Sequence, residues 1–255
     1  MCGIAGELRF DGTAPERSVI DRMVNTLARR GPDGEGVHLD GPVALGHRRL
    51  AIIDLSERSA QPMVDDATGL ALVFNGSIYN YTQLRAELIG RGHTFHSDGD
   101  TEVILRAYAE WGEHCVARLH GAFAFAVWDR RARGPFPARA PLGIKPRYVS
   151  RDSRKLRFAS TPQALLAGGG VDTRIDPVAL HHHFTLHAVV PAPRTLLNGI
   201  RKLAPASWMR VDGRGSDTQE AYWHLPATRP EQALSEAEWQ AAIHDALCDA
   251  VKERL

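Results

Sequence analysis

A cysteine at position 2, behind Met1 and ahead of Gly3, is the first residue of this chain with reactive chemistry. Removal of the initiator Met ahead of a small residue would leave Cys2 carrying both a thiol and a free α-amino group. A free thiol titrates at about 8.5 and an α-amine at about 7.7–8.0, so the amine can take the thiol proton directly or through a water. A nucleophile activated by its own amine is an established variant of nucleophilic catalysis. Taken alone, Met1-Cys2-Gly3-Ile4 fits equally well an incidental small residue at the start of a strand.

Three other clusters carry polar chemistry. Asn75-Gly76 follows an apolar run, and an Asn-Gly pair reads first as a turn. The same pair offers a side-chain amide and a backbone N–H aimed at one spot, an oxyanion hole in which one donor is worth about 3 kcal/mol. A side chain at Gly76 would block close approach of substrate. Gly46-His47-Arg48-Arg49-Leu50 puts two guanidinium groups beside an apolar strand, where successive side chains face opposite ways. One of them suits a bidentate clasp on a carboxylate; the alternative is a solvated or ion-paired surface arginine. In Asp98-Gly99-Asp100-Thr101-Glu102, ahead of a helical pattern, one carboxylate is expected as an N-cap, with a second use in holding an ammonium group. His181, His182, His183 and His187 include an i, i+4 pair but lack an acidic or thiol third ligand nearby, so no metal is expected. Neither Gly-x-x-x-x-Gly-Lys-Ser/Thr nor Gly-x-Gly-x-x-Gly occurs, so those nucleotide loops are not supported.

The elements that must position these groups follow from the apolar pattern. Residues 1–10 read as a strand ending in the Asp11-Gly12 turn, with Cys2 at its start. Val19, Ile20, Met23 and Leu27 predict a helix opened by Pro15 and closed by Arg29-Arg30-Gly31-Pro32. Further strands are expected over 43–45, 50–53, 70–74, 156–159 and 208–211, and helices over 81–91, 100–111, 162–167 and 177–184. Residues 121–129 alternate Phe123, Phe125 and Val127 with Ala124, Ala126 and Trp128, which makes both faces apolar and the strand central. Pro135, Pro137 and Pro141 make 130–141 a loop or a damaged sheet edge. Residues 212–217 read as a turn and 225–232 as a linker. Ser235 with Glu238 forms a capping box on a last helix whose Trp239, Ile243, Leu247 and Val251 need a partner surface. Without regular βαβ alternation, the pattern predicts sheets packed face to face with helices outside.

Composition bounds the function. The 255 residues are 44% hydrophobic and 24% charged, which excludes disorder, collagen and coiled coil. Lys and Arg total 31 against 30 Asp and Glu, net +1, so nothing attracts nucleic acid or an anionic membrane, and a small neutral or zwitterionic ligand fits better. Cys2, Cys115 and Cys248 lie too far apart in sequence for a disulfide framework, which suits a reducing cytosol. The apolar runs are too short to span a bilayer and the N-terminus lacks a secretory pattern, so a cytoplasmic location is expected.

Taken together, Cys2-Gly3-Ile4-Ala5-Gly6, Arg30-Gly31-Pro32-Asp33, the 46–54 run from Gly46-His47-Arg48-Arg49 to Asp54, Gln61-Pro62-Met63, Asn75-Gly76-Ser77-Ile78-Tyr79-Asn80 and Gly99-Asp100-Thr101-Glu102 resemble the glutaminase domain of glutamine-hydrolysing asparagine synthetases. The stretch from Gly170 through Ile175-Asp176-Pro177 to Val190-Pro191-Ala192-Pro193-Arg194 further resembles the N-acetylglutaminylglutamine amidotransferase branch. The resemblance implies an α+β fold of the N-terminal nucleophile hydrolase type, a four-layer αββα sandwich of two antiparallel sheets. It implies a class II glutamine amidotransferase domain over residues 2–212, with 213–255 a linker and the first helix of a truncated synthetase domain. It also implies roles: Cys2 as nucleophile and, by its amine, base; Asn75 and Gly76 as oxyanion hole; Arg49 on the glutamine carboxylate; Asp100 on its ammonium group. Leu50, Ala51, Ile52 and Ile53 would line the pocket by their main chain, with Ser77 beside the substrate.

The activity implied is hydrolysis of the L-glutamine side-chain amide through a Cys2 thioester. ATP and Mg would be needed only by a partner synthetase domain, and no cofactor by this chain. Three departures from the family pattern stand out. Ser77 replaces the Glu of Asn-Gly-Glu, removing one anionic contact to the substrate ammonium. The proline-rich run and Ala138-Arg139-Ala140-Pro141-Leu142-Gly143 replace Ala-Arg-Asp-Arg-Leu-Gly, which predicts disturbed sheet pairing. The synthetase signature Ser-Gly-Gly-x-Asp-Ser is absent. A non-catalytic remnant and an N-terminal nucleophile amidohydrolase of other specificity are the competing readings.

Overall fold

The computed structural model describes residues 1–132, 134–228 and 234–254. Two six-stranded antiparallel sheets form its middle. The first runs β10 (Arg201–Lys202), β8 (Tyr148–Arg151), β9 (Lys155–Ala159), β1 (Gly3–Arg9), β3 (Val43–Arg49), β2 (Gly34–Asp40). The second runs β12 (Asp217–Ala221), β11 (Ser207–Val211), β7 (Gly134–Arg139), β6 (Gly121–Asp129), β5 (Leu70–Ile78), β4 (Met63–Asp65).

Alternation along the strands sorts the cores. Ala71, Val73, Ala126 and Trp128 of the second sheet meet Ile4, Leu8, Val43 and Leu45 of the first between the sheets. Leu70, Leu72, Phe74, Phe123, Phe125 and Val127 face the other way, onto Leu84 and Leu88 of α2 (Tyr81–Gly90) and Val103, Ile104 and Ala107 of α3 (Asp100–Trp111). On the far side of the first sheet, Ala5 and Ala44 pack with Val19, Ile20, Met23 and Val24 of α1 (Arg17–Thr26) and Ala164 and Leu165 of α4 (Pro162–Ala167). The order helix, sheet, sheet, helix is the four-layer αββα sandwich.

Several elements differ from the sequence expectation. Residues 50–53 form no strand but a loop, with Ile52 72% exposed; its apolar residues border a cavity rather than a core. Residues 34–40, without an apolar run, form β2 because β3 offers it a free antiparallel edge. The proline-rich run is an interior strand, β7. Its register with β6 explains how: Ala140 N–H donates to the Phe123 carbonyl at 2.9 Å, so Phe136 and Ala138 share the bonded positions. Pro135 and Pro137 fall between them, opposite Trp128 and Ala126, and their missing N–H groups face β11, whose Cα register with β7 is the single pair Trp208 with Ala138. The expected disturbance of pairing is therefore confined to the β11 side.

Asn75-Gly76 is not a turn but lies inside β5, paired with Ala124 and Phe123 of β6. The N-cap of α3 is Gly99, without a side-chain cap, in place of the carboxylate expected there. Strand β12 extends the second sheet beyond residue 212. α5 (Pro177–Thr185) carries the Asp176 cap, and α6 (Glu236–Lys252) has the Ser235–Glu238 capping box, with Trp239, Ile243, Leu247 and Val251 exposed. Part of the 225–232 linker lies outside the described residues.

Candidate active site

A cavity of about 220 Å³ opens where β1 and β3 begin and end against β5. Cys2, Arg49, Leu50, Ala51, Ile52, Ile53, Asn75, Gly76, Ser77 and Asp100 all line it, with Met1, Asp54, Gln61, Thr101 and Lys145. Residues distant in sequence meet here because β1 and β3 are antiparallel neighbours, Gly3 opposite Arg48, and β5 faces them from the second sheet.

The Cys2 sulfur accepts the Leu50 N–H at 3.3 Å and lies 3.6 Å from the Leu50 carbonyl. Burial raises the thiol above its ordinary range; the Leu50 bond, the chain's amino terminus and Arg49 oppose that shift, while Asp100 adds to it. Met1 is joined to Cys2, so a free Cys2 amine requires its removal. The Cys2 carbonyl accepts from Arg30 Nε at 3.1 Å, and Gly31 beside it admits no side chain, since a Cβ would lie 2.3 Å from the Arg48 carbonyl carbon. This close packing of the Arg-Gly-Pro turn on β3 fixes the backbone of Cys2.

Asn75 is 1% exposed, and neither its amide nitrogen nor its oxygen has a partner among the described residues. It extends from β5 toward the first sheet, into the cavity. A buried amide left unpaired costs of the order of 1–3 kcal/mol, so its place at a cavity wall points to a ligand that completes it. Gly76 is a glycine for a reason other than substrate room: a Cβ would lie 2.3 Å from the Ala122 carbonyl oxygen on β6. Its N–H matters too. Tyr79 N–H donates to the His120 carbonyl, which sets Ser77 and Asn75 as the positions bonded to β6 and turns Phe74, Gly76 and Ile78 to the opposite edge. There Phe74 N–H donates to Gln61 Oε1 at 2.6 Å and Ile78 N–H to Asp100 Oδ2 at 3.0 Å. The amide between them, that of Gly76, faces the cavity.

The two arginines divide as strand alternation requires. Arg48 turns to α1, where it donates to Asn25 Oδ1 at 2.8 Å and pairs with Glu35. Arg49 lines the cavity and donates to the carbonyls of Ser56, at 2.9 Å, and Asp54, using two of its five N–H donors. The segment it pins is also held by Asp54, whose carboxylate accepts from Ser56 N, Ser59 Oγ and Asp98 N at 2.8, 2.6 and 3.0 Å and is held well below the usual range by those bonds. Asp33 accepts the Ala51 N–H at 2.9 Å.

Asp100 is 6% exposed, and burial pushes its carboxyl up to about 6, against bonds from Ile78 N and the first turn of α3. A cation beside it would restore the charged form. Ser77 is half-buried on the same wall.

Sequence reasoning gave no role to Lys145, Arg30 or Gln61. The Lys145 ammonium has no acceptor among the described residues, and burial, with Arg30 nearby, lowers it while Cys2 raises it. Its loop is fixed by Arg139, which donates to the carbonyls of Lys145 at 3.0 Å and Gly143 at 2.5 Å. The advance signals were the blocks Arg30-Gly31-Pro32-Asp33 and Gln61-Pro62-Met63, quoted without a role for either residue; Lys145 had none. Among the described residues no group of three metal-ligating side chains exists, His181, His182, His183 and His187 included. Cys115 is buried in the core under α3, and Cys248 sits on α6.

The four-layer arrangement is the fold of the N-terminal nucleophile hydrolases. A solved glutamine phosphoribosylpyrophosphate amidotransferase from Bacillus subtilis superposes with a TM-score of 0.65 at 19% identity, covering 87% of this chain and 49% of that one, a likeness of fold. The profile of the glutamine amidotransferase domain family matches residues 1–223, and this chain belongs to that family. Asparagine synthetase [glutamine-hydrolyzing] 3 of Bacillus subtilis (strain 168) is 35% identical over 258 residues, 100% of this chain and 41% of its own length. A putative asparagine synthetase [glutamine-hydrolyzing] of Mycobacterium tuberculosis (strain ATCC 25618 / H37Rv) is 39% identical over 231 residues, 83% of this chain and 35% of its length. The chain thus spans about two fifths of the curated relatives it matches. No described helix is long and apolar enough to cross a membrane.

Proposed function

We propose that this chain hydrolyses L-glutamine to glutamate and ammonia with Cys2 as nucleophile, as the ammonia-supplying part of an asparagine synthetase-type amidotransferase. The observation that carries the reading is the convergence of the Cys2 sulfur, the unpaired Asn75 amide and the outward Gly76 N–H on one cavity with a cation, Arg49, and a carboxylate, Asp100.

Once Met1 is removed, the Cys2 amine takes the thiol proton and the thiolate attacks the side-chain amide carbon. The C–S bond forms as the carbonyl π pair moves onto oxygen, where Asn75 Nδ2 and Gly76 N–H stabilise it. Collapse expels nitrogen, which takes the proton from the amine and leaves as ammonia. Water, deprotonated by the same amine, then attacks the thioester; glutamate departs and the thiol is restored. Arg49 keeps three N–H donors for the α-carboxylate, and Asp100 receives the α-ammonium. With Ser77 where the family pattern has Glu, that carboxylate is lost to the ammonium, which rests on Asp100.

The whole-protein reading is likewise ours: the ammonia passes to a synthetase domain that uses ATP and Mg, this chain itself needing no cofactor, in a cytoplasmic enzyme. The residues after β12 lead into that domain, a later start than the expected 213, and the 170–194 stretch favours the N-acetylglutaminylglutamine amidotransferase branch. The test is glutamate and ammonia release from glutamine by Met-processed protein. Release that vanishes in Cys2→Ala supports the reading; a processed protein that folds and releases neither favours the non-catalytic alternative.

A further inference from the structure

Strand β5 has a gap along one edge. Its neighbour β4 covers only Leu70 to Leu72, and from Phe74 onward the outward backbone groups have no strand to bond among the described residues. Side chains replace it. Gln61 Oε1 takes the Phe74 N–H at 2.6 Å, and His47 Nε2 donates to the Phe74 carbonyl at 3.1 Å. Burial pushes His47 down to about 4, so the imidazole is neutral at pH 7. The other end of the Gln61 amide, Nε2, reaches Thr101 Oγ1 on α3 at 3.2 Å.

These bonds close a ring: Gln61 to Phe74, along β5 to Ile78, across to Asp100, one residue on to Thr101, and back to Gln61. Gly76 N–H stands in the middle of the strand segment, and the Asn75 side chain, without a bond of its own, takes its place only from that backbone. The ring also spans from the amide donors to the carboxylate that faces the substrate ammonium.

We propose that Gln61, 8% exposed and bonded at both ends, is a positioning residue that sets the Asn75–Gly76 donors relative to Asp100, and so acts on the transition state rather than on substrate affinity. The proposal rests on the glutaminase reading above. Displacement of such donors costs most where charge develops on the oxygen; the ground-state carbonyl feels it less.

The experiment compares Met-processed parent, Gln61→Met, Gln61→Glu and Thr101→Val by three readouts: glutamine kcat and KM, the rate of Cys2 alkylation by iodoacetamide, and thermal unfolding. Alkylation by iodoacetamide is a displacement at carbon that needs a thiolate but no oxyanion donor. In Gln61→Met, kcat falls about 10- to 100-fold with KM within about 3-fold, while alkylation stays near the parent rate. Gln61→Glu, whose carboxylate still accepts the Phe74 N–H, recovers most of the loss. Thr101→Val, which cuts one side of the ring outside the strand, loses about 3- to 10-fold in kcat. Parental kcat in Gln61→Met, or a loss of kcat matched by equal losses in alkylation and unfolding temperature, overturns the proposal. A parent that alkylates but never hydrolyses glutamine overturns the underlying reading instead, and this proposal with it.

Discussion

Of the described residues that leave buried polar atoms unpaired, Asn75 and Arg147 are opposites. At Asn75 the orphaned amide faces a cavity of about 220 Å³ beside the Cys2 sulfur. At Arg147, fully buried over the Phe158 ring at 4.3 Å, Nε and Nη2 are orphaned in packed protein, with only Nη1 donating, to the Phe125 carbonyl. Burial and the neighbouring Arg139 lower Arg147 to about 9. An unsatisfied group before an open site is poised for a ligand; the same deficit inside a core is only a cost.

Replacing each residue separates the two cases. The largest effect is expected of Asn75→Ala: glutamine kcat falls about 10²- to 10³-fold, as for the loss of one oxyanion donor, while unfolding temperature does not drop, because no bond is lost. A parental kcat would remove the functional half of the comparison.

Asp100 comes next, and its sign is opposite for activity and stability. The folded chain holds the Asp100 proton up to about pH 6, against an ordinary 3.8, so between these values the folded state binds more protons and stability falls as pH rises. Asp100→Asn is therefore expected to match the parent below pH 4 and to exceed it at pH 7 by up to about 3 kcal/mol, with glutamine KM raised at least 10-fold. Parent kcat/KM should decline as pH drops through about 6, where the carboxylate proposed to meet the ammonium is protonated. Urea unfolding at both pH values and steady-state kinetics check the pair of signs.

Arg147→Met is expected to raise stability by about 1–3 kcal/mol and to leave glutamine turnover as it was, since it removes a buried charge without a carboxylate partner. A destabilised variant would mean that the carbonyl bond and ring contact outweigh the desolvation.

The smallest effect belongs to Lys145. With no acceptor of its own, its ammonium favours the Cys2 thiolate against burial, so Lys145→Met should move the midpoint of the pH profile for iodoacetamide alkylation upward by about half a unit, with Lys145→Arg near the parent.

Much of this architecture was readable from period alone. The helices at 100–111 and 162–167 and the strand at 121–129 have the expected bounds, because apolar spacing and burial agree there. The misreadings share a cause in pairing, which a single segment does not display. Pro135 and Pro137 are compatible with an interior strand only through their register on β6, and Leu50 to Ile53 are apolar because they border a cavity. In the site, Cys2 and Asn75 stand out because a thiol and an amide each suggest a use, whereas the choice of Arg49 over Arg48 and of Asp100 over its neighbouring carboxylates comes from the family resemblance. Gln61, Lys145 and Arg30 do not, since their significance lies in which distant groups the two sheets bring beside them.

The account's central claim is tested most directly by mass spectrometry of the Met-processed protein after exposure to an electrophilic glutamine analogue, a diazoketone that alkylates a thiolate seated in the glutamine pocket. The account predicts one added 5-oxonorleucine group, formed with loss of N2, localised to Cys2, blocked by excess glutamine and absent in Cys2→Ala. A correctly processed, folded protein that gains no mass at Cys2 would contradict it.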